Sequence, residues 1–503
     1  MKLYSRKIYF GLMTFLALCI GSCTSDFDKI NTDPTLVTED IIKPSMLLTS
    51  VLKYSVFSTY NLSIVAEYSG YYSNGASGSI FQNANWNDPY NSFYRNYIIN
   101  TAEIIRLTSK DPKLVNQTSM ARILKVWLYS QLTDLYGDVP YFEAAQKVDE
   151  VINQPKYDSQ KDIYTDMLKE LKEAAAALNE DPLLPSFGAA DILMQGNVDR
   201  WRRFANSLRL RLAMRVRYAD ETLAKQHIQE VITAPLIDNN AFNVFLKTIS
   251  GSDTRNRNPQ WNDPINNYPQ SVSFTVTETL KMLKDPRLSI FLVPAPDSIS
   301  GYRGRPIAAL PEEKGYDANV NSASQAQYFR EAVYPIMVMN AAEVSLLRAE
   351  AALFKFTTEN AQVQFTKGIS QSLSQYNANA AVSTAYLNSA TTQLAGSDEA
   401  KLEQIILQKF LANYYQIYEG YAEFRRTGYP KIWTGSDKGS TGGEIPRRLT
   451  YPLDEYTKNE TNIKKAASGL SKGDTYMSRI WWDAKPGLPF HHPRQGMFPP
   501  EMY

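Results

Sequence analysis

DRWRRFANSLRLRLAMRVR, residues 199–217, decides the fold class. Trp201, Phe204, Ala205, Leu208, Leu212 and Val216 recur every three or four residues. That spacing places apolar side chains on one face of an α-helix. The arginines between them invite a phosphate or nucleic-acid reading. They surround an amphipathic face, however, and the chain holds many Asp and Glu to pair with them, so a solvated or salt-bridged helix is expected.

Three other stretches repeat the pattern. Residues 159–178 open with Ser159 and Asp162 at capping-box spacing, and Ile163, Met167, Leu171, Ala174, Ala175 and Leu178 follow. From Asn340, Ala341, Val344, Leu347, Ala351 and Ala352 share a face; from Asp398, so do Leu402, Ile405, Ile406, Phe410, Tyr414 and Ile417. Ala342, Ala349 and Ala352 let a neighbouring helix approach closely. Helix pairs of this kind suggest tetratricopeptide-like packing, although no fixed-period repeat is legible. The expected fold is mostly α: tetratricopeptide-like helix pairs forming a scaffold with long ligand-binding loops, in a single domain. The loops are read over 70–95, 235–275, 292–335 and 428–503, which are rich in Gly, Pro, Asn, Ser and Tyr. Connections this long are uncommon in compact domains unless they serve a function.

The N-terminus reads as a lipoprotein signal over 1–22. Lys2, Arg6 and Lys7 precede a mostly apolar run from Ile8 to Ile20, too short to span a bilayer well. Ile20-Gly21-Ser22-Cys23 then offers small residues before a cysteine that can accept diacylglycerol. Residues 23–45 read as a lipid-anchored tether and 46–503 as the α-helical domain. With Cys19 removed and Cys23 lipidated, no thiol is left for a disulfide or a metal. Asp26, Asp28, Asn31 and Asp33 faintly resemble a calcium loop but lack its Gly and closing Glu. No metal and no cofactor are expected.

The whole chain carries 53 basic and 52 acidic residues. Loss of the signal's three basic residues leaves 50 against 52, which gives no electrostatic case for nucleic acid. The 32 tyrosines suit core and interface filling, or stacking platforms for sugars.

Seven segments in order then carry a resemblance. They are FDKINTDPT (27–35), LTDLYGDVPYFEA (132–144), RWRRFANSLRLRLAMRVR (200–217), AAEVSLLRAEAALF (341–354), QKFLANYYQIYEGYAEFRRTGYP (408–430), IPRRLTYPLDE (445–455) and RIWWD (479–483). Together they resemble the SusD/RagB family of nutrient-binding lipoproteins, and more closely its SusD-like branch, described as starch-binding and associating with the outer membrane. The resemblance implies four tetratricopeptide-like helix pairs with a loop-rich ligand face. It also implies a SusC-like TonB-dependent outer-membrane transporter as partner, with this protein as its lid. The cargo so implied is a glycan or oligosaccharide, or a peptide as in RagB-type members. The place so implied is the cell outer membrane, lipid-anchored and surface-exposed.

The signature motifs themselves read as fold-defining. Gly137 and Gly428 suit helix caps, and Pro140 and Pro430 stop continuation. Trp481-Trp482 reads as an anchor for the returning chain. Ligand capture is placed instead on two aromatic, amide-rich loops. The first contributes Tyr72, Trp86, Asn87, Tyr90, Tyr94 and Arg95; the second contributes Trp261, Asn262, Asp263 and Tyr268. Sugar rings stack their C–H faces on aromatics and need amide, carboxylate and guanidinium partners for their hydroxyls. The same rings could equally pin the loops to the scaffold. No enzyme is expected: nucleophile-elbow, zinc-protease and phosphate-loop motifs are absent. The adjacent His491-His492 lacks metal-ligand spacing, and both it and His227 read as structural or solvent-exposed.

Cys23→Ala is expected to release the protein from the membrane fraction. Retention of the variant, with an unmodified Cys23 by mass spectrometry of the parent, would contradict lipidation. The acidic Asp26 and Asp28 further predict that protease shaving of intact cells degrades the protein.

Overall fold

The computed structural model describes residues 42–60, 63–73, 87–145, 152–261, 272–308, 320, 322–435 and 438–495. The chain divides into two units, Met1–Lys43 and Pro44–Tyr503, and the architecture is that of the second. Helices α1 (Pro44–Tyr60) and α2 (Ser63–Tyr68) come first. Then α3 (Asn87–Ser92) runs through a π-helical turn, Phe93–Ile98, into α4 (Ile99–Thr108). Four helices follow: α5 (Val115–Tyr136), α6 (Gln160–Ala177), α7 (Val198–Arg215) and α8 (Glu221–Val231). From α4 to α8 each helix packs on the next, so the scaffold is a stack of pairs in chain order.

After α9 (Phe274–Met282) and the short α10 (Leu288–Phe291) comes a second set: α11 (Ala341–Leu353), α12 (Ala361–Gln375), α13 (Ala380–Leu387) and α14 (Asp398–Ala412). Helix α11 packs on α12, α14 and α7, which joins the two sets. Finally come α15 (Ile417–Thr427), α16 (Leu453–Lys458) and α17 (Glu460–Ser468). Among the described residues there are two small antiparallel sheets. Strand β1 (Val244–Lys247) pairs with β4 (Pro335–Met339), and β2 (Leu292–Val293) with β3 (Ser324–Gln325).

The helix starts follow their caps. Ser159 Oγ accepts from the Asp162 N–H, Asn197 Oδ1 from that of Arg200, and Asn340 Oδ1 from that of Glu343. Helix α15 ends on Gly428 in the left-handed region. Gly137, which ends α5, has φ +85° but ψ −125°, so its cap is not left-handed helical.

Three expectations need correction. The apolar face read from Asp398 to Ile417 is not one helix: α14 stops at Ala412, Tyr415 takes φ +68°, and α15 begins at Ile417. Part of the loop read over 70–95 is helical from Asn87 onward. Tyr90, Phe93, Tyr94, Tyr97 and Ile98 hold helical spacing, and Pro89 falls in the first turn, where no N–H is needed. The irregular stretch 428–503 contains α16 and α17, while β1 lies within 235–275, β2 and β3 within 292–335, and β4 starts at the end of the latter.

Of the α7 arginines, Arg209, Arg211 and Arg215 are buried and salt-bridged, Arg202 and Arg203 form half-buried ion pairs, and Arg200 donates to Asn243 O. Arg211 makes a paired contact to Glu343 of α11 (2.7 and 2.6 Å), and Arg215 reaches Glu419 and Glu423 of α15 (2.5 and 2.9 Å). Arg217, just past α7, meets Glu350 of α11 at 2.8 Å. Lys409 of α14 lies 3.2 Å from both Glu419 and Glu423. Arg426 forks onto Glu350 (2.7 and 2.7 Å) and Glu423 (2.9 and 2.7 Å). Burial alone would raise the Glu423 carboxyl, but Arg426, Lys409 and Arg215 hold it well below the usual carboxylate range. At Asp134 burial outweighs Arg215 and pushes the carboxyl up. That carboxylate also accepts from Trp482 Nε1 at 2.7 Å. Trp482 is fully buried, with the Arg425 guanidinium 4.8 Å from its ring centroid. Five carboxylates (Asp134, Glu343, Glu350, Glu419, Glu423) thus face five cations (Arg211, Arg215, Arg217, Lys409, Arg426).

Most tyrosine rings pack in the core. Tyr71 stacks on Phe410 at 4.3 Å and Tyr414 on Phe291 at 4.4 Å. His227 accepts from Arg209 Nε at 2.8 Å; burial, then Arg209, lowers its pKa to about 4, so it is a neutral structural group. His492 is also buried, and its Nδ1 accepts from the Arg494 N–H; His491 is exposed.

Glu350→Ala leaves Arg426 and Arg217 buried without their shared partner. Stability to urea is expected to fall by about 3–5 kcal/mol. A loss below about 1 kcal/mol would contradict the central place given to this carboxylate.

Candidate functional site

The two loops chosen from sequence leave the scaffold side by side. Tyr72 forms an antiparallel bridge with Val272, and Ser273 a parallel one with Arg305. The Ser273 N–H donates to Tyr71 O at 3.2 Å, the Phe274 N–H to Arg305 O at 2.8 Å, and the Arg305 N–H to Val272 O at 2.8 Å. Ser73 Oγ donates to Pro306 O at 2.5 Å. Three remote stretches of chain are therefore knotted into one stem, at which the segments 74–86, 262–271 and 309–319 each join the described chain. Trp86, Asn262, Asp263 and Tyr268, and the side chain of Asn87, lie outside the described residues.

Tyr72 is half-buried at this stem. Burial and then Glu67 raise its hydroxyl pKa, against the opposing pull of Arg305. Trp261 is half-buried as well, and the Arg257 guanidinium lies 4.3 Å from its ring centroid. The amides before it are structural: Asn258 Nδ2 donates to Phe329 O at 2.8 Å and Glu331 O at 3.1 Å, which pins the base of that loop.

Tyr90, Tyr94 and Arg95 come together elsewhere, on α3 and the π-helical turn. They line a cleft of about 300 Å³. Its opposite walls are Pro140 and Glu143 with Ile152–Pro155, and Asp454, Glu455 and Lys458 of α16. The tyrosines are locked in place. Tyr94 donates to Pro140 O at 2.6 Å, Tyr90 to Tyr157 Oη at 3.0 Å, and Tyr157 to Glu455 Oε2 at 2.8 Å. Tyr90 is buried between Tyr94 and Tyr136, with ring centroids 4.8 and 5.3 Å away, and Tyr94 is half-buried. Arg95 is exposed. Two carboxylates at the rim are tied to lysines, Glu143 to Lys156 at 2.7 Å and Asp454 to Lys458 at 2.9 Å. Those lysines hold both carboxyls below their ordinary pKa, so they accept hydrogen bonds as anions rather than offering a proton.

Sequence reasoning missed the walls supplied by 140–145, 152–155 and 454–459. Pro140 and Glu143 were absorbed into a fold signature, and α16 was read as irregular. Among the described residues no group of His, Cys, Asp and Glu forms a metal cluster, and no helix is long and apolar enough to cross a membrane.

A family model described as SusD-like, starch-binding and associating with the outer membrane matches residues 35–452. No curated protein matches. Solved structures do. A chitin-binding protein is 26% identical with a TM-score of 0.78, covering 88% of this chain and 100% of its own. A SusD homologue from Bacteroides fragilis is 25% identical with a TM-score of 0.74, over 88% and 100% of the two chains. A chitin-binding SusD homologue from Flavobacterium johnsoniae shares the fold at 24% identity and a TM-score of 0.73, over 89% and 98%.

Proposed function

The chain belongs to the SusD-like family, and from that membership we propose that it is a non-catalytic glycan-binding protein. It captures an oligosaccharide at the cell surface and delivers it to a TonB-dependent outer-membrane transporter. The observation that carries this reading is the family match over 35–452, together with the 26% identity to a chitin-binding protein along its entire length. The site geometry supports a binder. Locked ring faces beside amide, guanidinium and carboxylate groups suit a sugar's alternating apolar faces and hydroxyl rims, and the rim carboxylates are held by lysines. Lipid attachment at Cys23 would hold the protein against the membrane without a spanning helix.

The primary ligand contacts are assigned to the paired loops at the Tyr72–Val272 stem, through Trp86 and Trp261. Two aromatic segments leaving one stem can grip a single chain of sugars. The stem also fixes their bases, which lowers the ordering cost on binding.

Trp86→Ala and Trp261→Ala are each expected to weaken binding of the cognate oligosaccharide by about tenfold, at unchanged melting temperature. Trp482→Ala, which empties a fully buried site, should instead lower stability by about 3–5 kcal/mol. Calorimetry against chitin and malto-oligosaccharides, with thermal melts, separates the two. Normal binding by both folded loop variants would remove this site assignment. The transporter partnership has its own test: gentle detergent extraction and affinity purification should recover a large outer-membrane β-barrel. Its consistent absence, where other outer-membrane complexes survive, would count against the lid.

A further inference from the structure

Cleft and stem share no lining residue, yet the chain ties them together. Trp86 precedes Tyr90 by four residues, so even at full extension their Cα atoms lie within about 14 Å. A ligand held at Trp86 is therefore within reach of the cleft.

The cleft is built as a binding surface. Its rings cannot collapse or rotate freely, because the Tyr94 hydroxyl is bonded to Pro140 O and the Tyr90 hydroxyl is committed through Tyr157 to Glu455. Its apolar surface stays open: Ile99 and Ile152 are 45% and 43% exposed. Large aliphatic side chains brought to one concave surface from two remote segments are not scattered surface residues. Polar groups sit among them. Asn91 and Asn153 offer both donors and acceptors, and the exposed Arg95 offers guanidinium donors. The lysine-bound carboxylates nearly balance the cations, so the cleft holds no strong excess of either charge. Its volume falls at the lower end for small-molecule sites.

We infer that this cleft is a second sugar subsite, which takes an uncharged part of the same oligosaccharide chain beyond the portion held at the paired loops. Tyr94, Ile99 and Ile152 supply the apolar contacts, and Arg95, Asn91 and Asn153 meet the hydroxyls. The inference rests on the glycan reading above and adds that affinity grows with ligand length.

The test uses the full mature chain carrying Arg95→Ala or Ile152→Asp, both at exposed positions, and calorimetry with di- and hexasaccharides of N-acetylglucosamine and of glucose. Wild type should bind the hexamer of one series more tightly than its dimer. The variants should lose about tenfold on that hexamer, keep dimer affinity and melt normally. Hexamer binding unchanged in both variants overturns the subsite. So does an equal loss on dimer and hexamer, because the cleft would then be the primary site. If wild type binds neither series but binds short peptides, the glycan reading fails and this inference falls with it. A wild type that binds sugars without any length dependence overturns the subsite alone.

Discussion

Ten charged side chains, five of each sign, have been taken out of water between α5, α7, α11, α14 and α15. Burying an ion costs several kcal/mol even after relaxation, and the cost is recovered only where partners and geometry are close to complete. Each carboxylate here is therefore a demand on the relative placement of helices. Glu350 must meet arginines from the ends of α7 and α15 at once; Glu419 must meet Arg215 and Lys409. A slip of one helix by a turn would strand charges in the interior. Apolar faces alone tolerate such slips far better, so the ionic cluster sets helix register while the aromatic core supplies most of the driving force.

The same constraint explains what the signature segments are for. Asp134, Arg211, Arg215 and Arg217, Glu343 and Glu350, the run from Lys409 to Arg426, and Trp482 come from five segments spread across the chain. They converge on one interior cluster rather than on a ligand. Arg425 extends it by donating to Asp134 O and Arg447 O, and Arg447 forks onto Asp483 at 2.8 and 2.6 Å. The loops proposed to bind the ligand supply none of its ten charges.

Where periodicity was strong, the sequence was sufficient. Helices α6, α7 and α11 begin within a residue or two of their polar caps, because a three-to-four spacing and a capping side chain report local physics. Legibility failed where one residue overrode the pattern. Tyr414 and Ile417 continue the face of α14 on paper, but Tyr415 adopts a left-handed backbone and turns the chain. Asn87–Ser92 looked like a loop because Asn, Asp and Pro are turn formers; the following tyrosines decide otherwise by packing. Of the candidate ligand residues, spacing could group those on one stretch of chain. It could not show that Tyr72 joins Val272 while Tyr94 faces α16, since both pairings cross long sequence separations.

The stem at Tyr72 and Val272 bears on how such a protein diversifies. The cost of closing a chain segment between fixed ends grows only with the logarithm of its length, about 0.6 kcal/mol for each doubling. The segments 74–86, 262–271 and 309–319 each join the described chain at that stem and supply none of the ten buried charges, so insertions or deletions within them leave the charged interior in place. On the proposed assignment of the ligand to these loops, cargo preference can then drift through changes in length as well as composition, at a thermodynamic penalty smaller than that of a single unfavourable substitution in α7.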